Sequence, residues 1–141
     1  MTYATQQDLI DRYGQEELIQ LTDRADPPQG AIDATAVTRA LEDASHEIDG
    51  YLAVRYTLPL TTTPQVLVRL ACDIARYRLY DDRATEAVTQ RYRDAVRFLE
   101  AIARGQVNLG LDASAQAPAT SGGPDFSAPD RVFSAETLAD Y

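Results

Sequence analysis

The 141-residue sequence contains no lysine and no tryptophan, and it has one histidine, one methionine and one cysteine. A lone cysteine, Cys72, rules out an internal disulfide and a zinc site built on several thiolates. A lone histidine, His46, cannot supply a conventional multi-histidine metal set. No apolar run approaches the length of a membrane span, and the polar start MTYATQQDL lacks the charged and apolar regions of a signal peptide. Neither an anchor nor a leader is therefore expected. Positive charge is also scarce. The net charge is −9, and all 13 basic residues are arginine. That balance argues against wrapping nucleic acid by phosphate neutralisation, which needs a basic surface. It is compatible with plain solubility, or with a channel wall that repels a phosphate backbone and so lets it slide.

What is present is the composition of one globular domain, with 45% hydrophobic and 25% charged residues. The chain turns on Ile48 to Leu60, IDGYLAVRYTLPL. Ile48, Leu52 and Tyr56 recur every four residues and predict one helix face. Pro59 biases Leu58 away from helix, so the helix is expected to end near Thr57. Thr63 and Pro64 then read as N-cap and first residue of the next helix. Leucines on both sides of Pro59 predict a buried corner between the two central helices.

The remaining punctuation gives an all-α chain: a small bundle of three longer helices preceded by short N-terminal ones. Thr5 and Asp8 resemble a capping pair, and Leu9, Ile10 and Tyr13 form a short amphipathic helix stopped by Gly14. Glu16 and Glu17 start a second, and the prolines of Arg24 to Gly30 break it. A long helix is expected from Thr35 to Tyr56, with Gly50 inside it where close packing would use it. The next, Pro64 to Asp82, carries apolar residues over too wide an arc for one-sided packing, which places it centrally. The last, Ala84 to Arg104, has the stripe Val88, Tyr92, Val96, Leu99 and Ile102, with Arg91, Arg93, Arg97 and Arg104 outside it. Glu100 and Arg104 are spaced as an i,i+4 pair.

At Leu109 the chain is expected to leave the bundle, so that residues 1–111 form the domain and 112–141 a tail. Ala113 to Pro129 is rich in Ala, Ser, Pro, Gly and Thr and too poor in apolar area to offset its ordering entropy, which predicts an extended tail. Arg131 to Tyr141 differs. Arg131, Val132, Phe133, Leu138 and Tyr141 read as anchors of a docking segment at the end of a polar tether. From Asp112 onward there are five acidic residues and one arginine, a net charge of −4.

Candidate chemistry is sparse. Glu42 and His46 at i,i+4 could offer two metal positions, but no further ligands complete them, and a solvated helix face accounts for both. Cys72 paired with His46 is conceivable as a nucleophile; a small buried hydrophobe is the plainer reading. Gly122-Gly123 lacks the lysine and hydroxyl of a phosphate loop, and Asp81, Asp82 and Asp112 lack metal-loop spacing. No cofactor, metal or catalytic residue is expected. The arginines fit two readings equally. They form intrahelical pairs such as Arg69 with Asp73, or they make planar contacts with carboxylates of a neighbouring subunit.

Several segments, in order, resemble one family: Arg12-Tyr13-Gly14, Glu17-Leu18-Ile19, Leu21 to Arg24, Ile48 to Leu52, Arg55-Tyr56, Leu58-Pro59-Leu60 and Cys72 to Tyr77. The chain is similar to Mu-like phage and prophage proteins over residues 3 to 111 and again in its last eleven. That family is similar in architecture to head–tail connectors, or adaptors, of tailed phages. The resemblance implies a non-enzymatic virion protein, made in the bacterial host cytoplasm. It would form a twelve-fold ring beneath the portal protein and receive the next neck or tail-completion protein, and DNA would pass through the lumen without specific binding. Arg91, Arg93 and Arg97 would serve its subunit interface, and the docking segment would bind the portal or a neighbour. The rival is a cytoplasmic assembly chaperone or interaction module absent from finished particles.

Overall fold

A computed structural model describes residues 2–111, and no strand element occurs among them. The protein is all-α. Its first helix, α1 (Gln6–Tyr13), starts on a capping box in which Thr5 Oγ1 accepts from Asp8 N and the Asp8 carboxylate accepts from Thr5 N. Gly14, at φ 92°, ends α1 and opens α2 (Gln15–Thr22), a turn that a residue with a Cβ would resist. Thr22, buried, donates to the Leu18 carbonyl at 2.7 Å and accepts from Asp33 N at 3.0 Å, tying the end of α2 to the start of α3 (Ala34–Leu52). Asp33 caps α3 through the amides of Thr35 and Ala36. Then follow α4 (Gln65–Tyr80), a single 3-10 turn at Asp81–Arg83, and α5 (Glu86–Ala103), capped by Thr85.

The core runs along α4, which packs on α1, α2, α3 and α5. Leu67, Leu70, Ala71, Cys72, Ile74 and Ala75 are all shielded from solvent, so the wide apolar arc expected for this helix is present. They meet Val37, Leu41, Ala44, Ile48 and Leu52 from α3 and Ala95, Leu99 and Ile102 from α5.

Four expectations are corrected. Helix α3 ends at Leu52, not near Thr57: Ala53 to Arg55 turn, and the amides of Arg55 and Tyr56 both donate to the Leu52 carbonyl. Tyr56 is buried all the same, carried inward by the turn and not by a helix face. Pro64, not Thr63, occupies the N-cap position of α4, in extended conformation and without a side-chain cap. Gly50 faces open space, so no helix packs against it. The segment after α5 does not leave the bundle at Leu109. Val107, Leu109 and Leu111 pack against the core, and Leu109 N donates to Tyr56 Oη at 3.2 Å. The corner itself is as expected: Leu60 is buried and Leu58 half-buried. The tail 112–141 and its docking segment lie outside the described residues.

The loop between α2 and α3 is held by one carboxylate. Asp23 accepts from Gly30 N at 2.7 Å and from Gln29 N at 3.2 Å, and these bonds lower its pKa from the ordinary 3.8. A lowered folded value means that the contribution is complete above 3.8 and is lost as pH falls through the folded value. The amide resonances of Gln29 and Gly30 should therefore titrate together with a midpoint below 3.8. A midpoint at or above that value would show that Asp23 does not hold the loop.

Candidate interaction surface

Tyrosines and carboxylates stitch the helices together. Tyr13 Oη donates to Asp73 at 2.6 Å, linking α1 to α4, and Tyr3 Oη donates to Asp49 on α3. Tyr80 Oη and Arg76 Nη2 both donate to Glu17 Oε1 at 2.7 Å, linking α4 to α2. Tyr92 Oη donates to Glu47 Oε1 at 2.8 Å, Arg78 reaches Glu47 Oε2 at 3.1 Å, and Tyr92 stacks on Tyr77 with ring centroids 4.1 Å apart. This node joins α3, α4 and α5. Burial, then the neighbouring carboxylate, pushes the Tyr92 phenol up to about 12 and raises those of Tyr3 and Tyr13 as well. All three remain protonated donors at neutral pH. Sequence reasoning missed these hydrogen-bonded pairs, because the partners lie 31 to 63 residues apart and no periodicity connects them.

The intrahelical pair of Glu100 and Arg104 is present, with 4.0 Å between their charged atoms. The pair of Arg69 and Asp73 is not: Asp73 serves Tyr13 instead, and Arg69 forms no ion pair among the described residues. Arg91, Arg93 and Arg97 are exposed on α5. Arg97 lies 3.8 Å from Asp94, with both side chains mostly in solvent; Arg91 and Arg93 have no acidic partner among the described residues.

Two concavities stand out. One of about 720 Å³ lies between the α2–α3 loop and the sides of α3 and α4, and mixes Asp23, Asp33 and Asp43 with Arg24, Arg39 and Arg78. The other, about 490 Å³, brings together three arginines from three helices: Arg12 of α1, Arg69 of α4 and Arg91 of α5. Tyr13, Leu70 and Phe98 supply its apolar wall, and Asp73 and Asp94 also line it.

The sequence candidates for chemistry are kept apart. Cys72 is fully buried, and that burial raises its thiol pKa to about 12, with Arg12, Asp8 and Asp73 as its charged neighbours. His46 is exposed on α3 and lines a shallow cleft with Tyr3, Asp49 and Pro59. Glu42, beside it, is exposed too, as a solvated face requires. Among the described residues no three His, Cys, Asp or Glu side chains come together as a metal set. No described helix is long and apolar enough to cross a membrane.

These features define a small all-α bundle with a polar-stitched interior and an arginine-rich groove. The family described as Bacteriophage Mu, Gp36 matches residues 3–128, and the chain belongs to that family. It is 48% identical over 109 residues to the Mu-like prophage FluMu protein gp36 of Haemophilus influenzae, covering 77% of this chain and 76% of the relative. It is 43% identical over 112 residues to Gene product J of Escherichia phage Mu, covering 79% of each chain. The likeness to Mu-like phage and prophage proteins expected from the ordered motifs is thus present, and the protein is a phage protein.

Proposed function

We propose that this protein is a structural component of the virion neck, an adaptor that forms a ring beneath the portal, extends the DNA channel and joins the capsid to the tail. The observation that carries this reading is the set of exposed arginines on α5 in a strongly acidic protein of the Mu family. Arg91 and Arg93 have no acidic partner among the described residues, and Arg97 has only a loose, solvated one. Planar guanidinium groups on a rigid helix suit carboxylates of a neighbouring subunit. A head-to-tail contact between identical subunits closes into a ring when the rotation allows it. The net charge of −9 suits a wall along which DNA slides. Neither a catalytic role nor a cofactor is part of this reading. Its partners are further copies of the chain, the portal protein and the next neck or tail-completion protein.

Purified mature particles are expected to contain the protein in ring-like copy number, about twelve by analogy with connectors. Quantitative mass spectrometry of virions measures this, and absence from finished particles would end the adaptor reading in favour of an assembly chaperone. Deleting residues 131–141, which carry Val132, Phe133, Leu138 and Tyr141, should abolish capture by purified portal while leaving far-ultraviolet circular dichroism unchanged. Undiminished capture would show that the segment is dispensable.

A further inference from the structure

We infer that the groove lined by Arg12, Arg69, Arg91 and Phe98 receives the acidic, aromatic segment 125–141 of a second copy of this chain. The inference rests on the adaptor reading and names the contact that would join its subunits. The groove collects three cations from three helices in a protein whose acids outnumber its arginines, 22 to 13. Of its two acids, Asp73 is engaged by the Tyr13 hydroxyl and Asp94 by Gln90 and, loosely, Arg97. Arg69 and Arg91 have no ion-pair partner among the described residues. The site therefore presents unspent guanidinium donors beside an aromatic wall, which suits a peptide carrying both carboxylates and rings.

Segment 125–141 has that chemistry. It holds Asp125, Asp130, Glu136 and Asp140 against a single Arg131, with Phe126, Phe133 and Tyr141 between them. Chain path permits a second copy as the occupant, and the head-to-tail ring of the adaptor reading selects it over the segment's own bundle. The residues after α5 are pinned at the corner end of the molecule, where Leu109 N meets Tyr56 Oη. Arg91 lies roughly 18 Å back along α5 from Ala103, at 1.5 Å per residue. The exit and the groove are thus at different places, as a head-to-tail contact requires. Residues 112–130, if extended, span up to about 60 Å, enough to reach an adjacent bundle.

The test uses full-length chains with reversed charges. A groove variant (R69E/R91E) and a tail variant (D130R/E136R) should each lose self-association on the order of tenfold or more in sedimentation velocity. Both groove positions are exposed, so helicity should be unchanged. Mixed together, the two variants should associate again by alternation, because the acidic tail of one meets the arginine groove of the other and the reversed tail meets the reversed groove. The four substitutions in one chain should restore growth. A mixture that stays unassociated overturns the inference, whether the segment turns out to bind its own groove or the portal; so does a wild-type chain that stays monomeric at every concentration. Portal capture is measured on the same samples. Wild-type capture without groove dependence overturns the docking alone, whereas absence of wild-type capture overturns the adaptor reading.

Discussion

Replacing Ile74 with alanine is expected to lower the stability of the bundle by about 3–4 kcal/mol and its Tm by roughly 15 °C or more. Ile74 is fully buried on α4, the helix that packs on α1, α2, α3 and α5. Removing its outer carbons leaves a gap inside the core cluster, and the packed helices around it relax into that gap only in part. Domains of this size have only about 5–15 kcal/mol of stability, so the loss is a large share of the total. Val54 provides the contrast. It is 67% exposed in the turn after α3, and Val54→Ala should change stability by less than about 0.5 kcal/mol. Thermal and urea denaturation of both variants measure the difference. Equal shifts would mean that α4 is not the centre of the core. On the proposed adaptor reading, the I74A chain should also be depleted from particles, since a ring admits only folded subunits.

The features legible in the sequence were those carried by neighbours along the chain. Thr5 with Asp8, Gly14, the prolines after Arg24 and the apolar steps of three and four mark helices through local backbone chemistry, and the helices lie where they mark them. The central place of α4 was legible for the same reason, because an arc of side chains too wide for one partner needs several. The end of α3 was not. Tyr56 continues the four-residue spacing of Ile48 and Leu52, and burial follows, but a turn delivers the ring to the core as well as a helix does. Spacing reports which side chains go inward and is silent on the backbone path that takes them there. The Leu109 segment failed for a related reason. Its leucines are few and interrupted by Gly110, yet the corner at Tyr56 offers them a surface that only the fold creates. The groove was half legible. Arg91 stands among the arginines outside the apolar stripe of α5, but Arg69 reads along its own helix as a partner of Asp73, and nothing along the chain brings Arg12 beside them. The polar stitches were invisible, since each joins residues far apart in sequence.

Substitution of Arg76 by alanine is expected to cost about 2–3 kcal/mol, more than that of any other arginine among the described residues. Its guanidinium lies 2.7 Å from Glu17 Oε1 with both side chains largely shielded, 18% and 22% exposed. It also lies over the Tyr13 ring at 4.3 Å from the centroid and more distantly over Tyr80, so one side chain binds α1 and α2 to α4. The contact is single-pronged. Glu17 Oε2 and Arg76 Nε are buried without a hydrogen-bond partner among the described residues, so the node sits close to the point where desolvation outweighs attraction. Taking away one charge strands the other, and that stranding makes the truncation expensive. Glu17→Ala should cost a similar amount, because Tyr80 loses its acceptor along with Arg76. Glu17→Gln keeps an oxygen for Tyr80 and should fall between wild type and alanine. The double variant E17A/R76A should be less destabilised than the sum of its parts by about 1–2 kcal/mol, the signature of a shared interaction. Strict additivity in that cycle would show that the two side chains stabilise the bundle independently, by packing alone. The short helices α1 and α2 would then be held to α4 by Leu9 and Leu18, and hydrogen exchange would show no selective loosening of residues 6–22 in R76A.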